Sequence, residues 1–195
     1  TLGRHEIITA GAAGVISIYD FASGNTELLR YPLVQEIQRI EISPDSQKFV
    51  ILTEGQELWI YDRFAKEWMF GGDKAKRAVF AGDGKRLALL TDHNEINIVF
   101  LADYNWDFRK KAGERIALKP DFLKTITDLE WMVAGSDYLI LRYGDELAAI
   151  ETDYRSSLNS WVLARDALKF QQDKGGRKIY YLDSKKRLFR LTMTN

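Results

Sequence analysis

Four stretches of this chain repeat one pattern, and the repeat limits the possible folds more than any other feature. RIEISPDSQKFVILTEGQELWIYD occupies 39–62 and RAVFAGDGKRLALLTDHNEINIVFL occupies 77–101. DLEWMVAGSDYLILRYGDELAAIETD covers 128–153, and LKFQQDKGGRKIYYLDSKKRLFRLTM covers 168–193. Each copy reads as strand, tight turn, strand, short polar loop, strand. The second strands (49–52, 87–90, 138–141 and 179–182) are apolar runs too short for a helix and bounded by turn residues. That is how strands buried on both faces look. Phe49, Leu87, Tyr138 and Ile179, taken as equivalent positions, lie 38, 51 and 41 residues apart, so the middle spacing holds an insertion, placed at 102–124. Upstream, HEIITAGAAGVISIYDFASGNTELLRY at 5–31 matches the second, third and outer strands of a further copy that has no first strand.

Units of roughly 40 residues, each a four-stranded antiparallel meander, point to an all-β chain and specifically to β-propeller blades. Residues 1–195 are expected to form one propeller or partial propeller of about five blade-like units, the terminal two incomplete. Outer strands are expected at 27–31, 68–71, 115–118 and 160–163. In Ser43-Pro44-Asp45-Ser46 the proline presets φ and the aspartate can accept backbone hydrogen bonds, and Gly82-Asp83-Gly84 is the same device, so both aspartates are read as turn formers.

Ile42-Ser43-Pro44-Asp45, followed by an apolar strand and then Leu58-Trp59-Ile60-Tyr61-Asp62, resembles the WD40-like (PD40-like) propeller repeat of bacterial TolB-type proteins. The later run, with Asp128-Leu129-Glu130-Trp131, 138–141, Ile150-Glu151-Thr152-Asp153 and 179–191, resembles the C-terminal propeller that accompanies PEGA modules in bacterial envelope proteins. Only one unit carries Ser-Pro-Asp; the third has Ala134-Gly135-Ser136-Asp137 and the fourth Asp173-Lys174-Gly175-Gly176. The resemblance therefore implies fold and an extracytoplasmic envelope location, not an activity.

Composition narrows the function classes. Of 195 residues, 46% are apolar, enough to bury a core and exclude wholesale disorder. With no cysteine, disulfides, thiolate metal sites and a cysteine nucleophile are excluded. The 28 basic and 28 acidic residues balance, which argues against a nucleic-acid stripe over the whole surface, and no apolar run reaches membrane-span length. Charge is uneven along the chain: residues 1–65 hold five basic and nine acidic groups, residues 174–190 seven and one. Because the chain opens Thr1-Leu2-Gly3, and the terminal units lack complementary strands, it reads as the C-terminal portion of a longer protein whose targeting signal lies elsewhere.

Two groups of residues are candidates for contact. The loops between second and third strands, 53–57, 91–95, 142–146 and 182–186, are expected at the mouth of the central channel. They offer Glu54, His93, Asn94, Arg142, Asp145 and Lys185, each of which is equally explained as a solvated turn residue. The insertion contributes Trp106, Phe108 and the run Arg109-Lys110-Lys111, a mixture suited to docking an acidic protein or polymer, or simply a solvated hairpin. No G-x-S-x-G elbow is present, His5 and His93 form no metal-ligand motif, and nothing selects a catalytic carboxylate pair. The expectation is a non-catalytic scaffold for a protein or envelope polymer, without cofactor, metal, nucleic acid or membrane insertion. The alternatives are the propeller of a carbohydrate-active enzyme or peptidase, and a homo-oligomeric module associating through strand edges.

Overall fold

Alternate residues of each second strand face opposite neighbours, and this two-sidedness organises the chain. The computed structural model describes residues 6–11, 15–30, 35–105, 109–120, 124–133, 137–152 and 158–193. Among the described residues it contains five successive antiparallel sheets of three or four strands and one separate two-stranded hairpin. The first comprises β1 (Glu6–Gly11), β2 (Val15–Asp20) and β3 (Thr26–Arg30). The second comprises β4 (Ile37–Ile42), β5 (Lys48–Thr53), β6 (Glu57–Asp62) and β7 (Glu67–Lys74). In the third, β8 (Arg77–Phe80), β9 (Arg86–Leu90) and β10 (Ile96–Phe100) precede a small hairpin, β11 (Tyr104–Asn105) and β12 (Arg109–Lys110), before the outer strand β13 (Arg115–Leu118). The fourth holds β14 (Ile126–Trp131), β15 (Tyr138–Tyr143), β16 (Glu146–Glu151) and β17 (Ser160–Arg165). The fifth holds β18 (Lys169–Gln172), β19 (Lys178–Leu182) and β20 (Leu188–Thr192).

Four apolar clusters fill the four gaps between these sheets. Phe49 and Ile51 of β5 pack with Ile16 and Ile18 of the first sheet, while Val50 and Leu52 pack with Ala78, Leu87 and Leu89 of the third. On β15, Leu139 and Leu141 join the third sheet's Leu90 and Ile98, and Ile140 joins Ile179 of the fifth. Every one of these side chains is at most 2% exposed, so each apart from Ala78 contributes on the order of 1.5–3 kcal/mol by burial. Faces covered on both sides explain why β5, β9 and β15 carry no polar residue in their middles.

The turns repeat as faithfully as the strands. First–second turns put one residue in the left-handed region at Ser46 (φ 60), Gly84 (φ 67) and Gly176 (φ 65). Second–third turns do so at Gln56 (φ 62), Asn94 (φ 61), Gly144 (φ 55) and Lys186 (φ 60). Third–outer turns do so at Gly24 (φ 72), Lys66 (φ 55) and Gly113 (φ 87). These positions fix the equivalences: β1 is a second strand and β20 a third strand, so among the described residues the first sheet has no first strand and the last no outer strand. Turn aspartates serve the backbone, with Asp45 accepting from Ser43 Oγ (2.6 Å) and Gln47 N (3.0 Å). Asp83 accepts from Lys85 N (2.8 Å) and Asp173 from Lys178 N (2.9 Å). Burial works against the Asp45 carboxylate, but the hydrogen bonds from Ser43 and Gln47 and the charge of Lys48 outweigh it and lower its pKa.

Among the described residues of the insertion expected at 102–124, the hairpin between β10 and β13 is extra, and β13 itself completes the third sheet beside β10.

Candidate functional site

Three of the first strands, β4, β14 and β18, carry charged or amide side chains at alternate positions, and β8 begins with Arg77. Around the axis these side chains meet. A pocket of about 380 Å³ opens between the first strands β4, β8, β14 and β18, at the end where the first–second turns lie. Its lining includes Arg39, Glu41, Arg77, Glu130, Gln171, Gln172 and Lys174, with Pro44, Phe80, Trp131 and Val133 supplying apolar surface. Such a volume falls in the ~300–1,000 Å³ range of small-ligand and peptide side-chain pockets.

A chain of ion pairs crosses the pocket. Arg39 contacts Glu41; Arg77 Nη1 lies 3.9 Å from Glu41 Oε1, and its Nε lies 3.0 Å from Asp128 Oδ1. That Nε is buried and, despite its closeness to Asp128, has no aligned hydrogen-bond acceptor. Gln172 clasps the neighbouring strand: its Nε2 donates to Trp131 O (2.7 Å) and Glu130 Oε2 (3.3 Å), and its Oε1 accepts from Val133 N (3.1 Å). Burial raises the pKa of Glu130 and outweighs the opposing hydrogen bond from Gln172, while the nearby Asp128 charge adds to the rise and that of Arg77 opposes it. The pocket thus offers cationic, anionic and amide groups on an aromatic floor. Among the described residues no group of three or more His, Asp or Glu side chains is arranged to hold a metal ion, and no helix is long and apolar enough to cross a membrane.

Behind the pocket wall sits a buried arginine that the sequence reading passed over. Arg86, 3% exposed in its side chain, pairs with Asp83 through Nε and Nη2, both at 3.0 Å, and with Asp137 at 3.3 Å. Its guanidinium lies 4.8 Å from the Tyr104 ring centre and 5.0 Å from that of Trp131. Tyr104 belongs to the inserted hairpin and Trp131 to the pocket, so Arg86 ties the two together. Arg109 and Lys111 are exposed on this hairpin, and Lys111 N donates to Glu114 Oε2 (2.7 Å). Lys110 is half-buried, and Trp106 and Phe108 lie outside the described residues.

His93, Asn94, Arg142 and Asp145 stand at the opposite end of the axis and line no part of the pocket. There the second–third turns are stitched to the linkers between sheets. Asn94 Oδ1 accepts from Ile126 N (3.1 Å) and its Nδ2 donates to Lys124 O (3.3 Å). Gly144 N donates to Thr125 O (3.0 Å), Ala167 N to Asp145 O (2.6 Å), and Asp145 pairs with Lys124. Arg142 Nη1 donates to Gly144 O (3.3 Å), and His93 is exposed, its backbone N donating to Thr91 Oγ1 (3.3 Å). The sequence signal for the pocket was the alternation of charge in the first strands β4 and β14, at Arg39, Glu41, Asp128 and Glu130, set against the apolar centres of β5, β9 and β15.

No protein-family model matches the chain, and no curated protein matches it. Among solved structures, 100% of the chain superposes on the β-propeller domain of Myceliophteria thermophila Cps50 (Swd1), with a TM-score of 0.74 and 12% identity. A second match, the dihydro-heme d1 dehydrogenase NirN in complex with DHE, covers 97% of the chain with a TM-score of 0.65 and 10% identity. The chain spans 65% of the length of the first and 42% of the second. At such identities the likeness concerns architecture alone: this chain has a WD40-like β-propeller fold.

Proposed function

We propose that the chain is a non-catalytic interaction scaffold that takes a polar polypeptide segment of a partner protein into the axial pocket. One observation carries this reading. The first strands converge to present two arginines, two glutamates and two glutamines around Trp131 and Phe80, a set able to meet backbone amides and side chains of either charge. Exposed Arg109 and Lys111, on a hairpin anchored to the same pocket wall, would extend the contact with an acidic flank. The resemblance of 42–45 and 58–62 to TolB-type repeats supports placing the protein in a bacterial cell envelope. A carbohydrate-active role is the second reading, supported by Glu130, whose raised pKa suits a general acid. Against it stand Glu41 and Asp128, each held by a guanidinium.

The test is to pan a displayed random-peptide library against the chain and measure a selected peptide by fluorescence anisotropy. Affinity is expected to fall about 10-fold or more with Arg77→Met and to survive His93→Ala. Survival in Arg77→Met with loss in His93→Ala would overturn the reading. Hydrolysis of chromogenic glycosides that vanishes in Glu130→Gln would establish the second reading instead.

A further inference from the structure

The charges on the inner strands around the axial pocket do not balance. Two guanidinium groups, those of Arg39 and Arg77, meet three carboxylates, those of Glu41, Asp128 and Glu130. Both arginines are engaged: Arg39 contacts Glu41, and Arg77 joins Glu41 of β4 to Asp128 of β14, a tie that holds two strands of the wall. Glu130 is left over. Among the described residues no ion pair reaches it, and its polar neighbour is the uncharged Gln172 amide at 3.3 Å. It is half-buried on the fourth sheet, which is packed between the third and the fifth, so its position is set from both sides. Burial raises its pKa, and ionisation there stays costly until a cation supplies the missing charge. Pro44, Phe80, Trp131 and Val133 give the same pocket apolar surface. The methylene stem of a long basic side chain covers such surface while its head seeks a carboxylate.

We propose that the partner's segment anchors in the pocket by one lysine or arginine side chain, its stem on Phe80 and Trp131 and its cationic head paired with Glu130. This rests on the reading of the pocket as the partner's binding site and adds which side chain that site takes. An acidic anchor would bring a fourth carboxylate and would have to draw Arg39 or Arg77 from its present partner; a neutral one would leave Glu130 unpaired. The charged groups around Glu130 are Arg39 and Glu41 from β4, Arg77 from β8, Asp128 on its own strand, and Asp173 with exposed Lys174 just beyond β18. A bound cation favours the carboxylate, so binding expels the proton that Glu130 carries below its raised pKa. Affinity is therefore full above that value and weakens as pH falls through it.

The displayed random-peptide library is panned against the intact chain at neutral pH, and peptides that crosslink to a benzophenone amino acid at Val133 are taken as pocket-bound. They are expected to carry a lysine or arginine whose replacement by methionine weakens binding about 10-fold or more and removes its loss at low pH. Glu130→Gln, its fold checked by circular dichroism, is expected to weaken the parent peptide by the same factor and to leave the methionine peptide unchanged. The methionine peptide on the wild-type chain reads the pH effect without altering the protein. Pocket-bound peptides with no basic anchor, a methionine peptide that still weakens at low pH, or one that loses affinity in Glu130→Gln would each overturn this inference and leave the pocket as the binding site. Peptides that bind without crosslinking at Val133 would overturn both.

Discussion

The two ends of the propeller axis are built from the same repeats and do opposite work. At the end of the second–third turns, side chains and backbone are spent on holding sheets together: Asn94 and Gly144 N bond to the linker at 124–126, and Asp145 O accepts from Ala167 N of the linker after it. At the other end, Arg39 and Arg77 pair with Glu41, Arg77 also with Asp128, and Glu130 meets Gln172, around an open pocket. Backbone groups leave little freedom to meet a ligand, whereas side-chain ion pairs in a wet pocket can exchange partners at small cost. The difference separates scaffold from site.

If the difference holds, stability and binding should respond to separate substitutions. Arg86→Ala should have the largest effect, because it empties a buried slot between Tyr104 and Trp131 and strands Asp83; a loss of about 3–5 kcal/mol is expected, read as a urea midpoint. Asn94→Val should follow, costing about 2–3 kcal/mol, since a β-branched residue at φ 61 is strained and two hydrogen bonds vanish. Asn94→Gly should cost only about 1 kcal/mol, because the backbone is kept and only the bonds are lost. Neither Asn94 variant should change peptide affinity.

Glu130→Gln gives a smaller and pH-dependent effect. Because the folded-state pKa of Glu130 is raised, the folded protein binds more protons than the unfolded chain between the ordinary glutamate value and the raised one. Its contribution is therefore fully present below the ordinary value and lost as pH rises through the raised one. Melting temperatures of wild type and Glu130→Gln should diverge in the variant's favour as pH rises through that window, and a constant difference would contradict the burial argument. The smallest effect belongs to Asp145→Asn: the Lys124 pair is exposed, so the melting temperature should not move measurably, while the bond from Ala167 N to Asp145 O persists.

Most of the architecture was legible because repeated burial imposes repeated sequence. Strands covered on two faces admit only apolar residues, which made 49–52 and 87–90 recognisable, and the outer strand β13 falls where 115–118 was expected. The incomplete first and last sheets were legible too, since a turn pattern survives the loss of a neighbouring strand. The pocket was harder to see. Which end of a strand meander lies open depends on how linkers cover the turns, and that is decided by backbone bonds such as Gly144 N to Thr125 O, which any residue type can make. Polar turn residues such as Asn94 and Asp145 resemble contact residues in the sequence but are polar for structural reasons. Arg86 escaped notice because its partners, Asp83, Tyr104, Trp131 and Asp137, are scattered over 55 residues and only folding brings them together.

The most direct test of the open-mouth, closed-rim assignment is site-specific photo-crosslinking. A benzophenone amino acid at Val133, exposed on the pocket lining, is compared with the same group at His93, exposed on the opposite rim. Illumination with the selected peptide should give a covalent adduct from position 133 and none from position 93. An adduct from position 93 alone would place binding on the stitched rim and contradict the assignment.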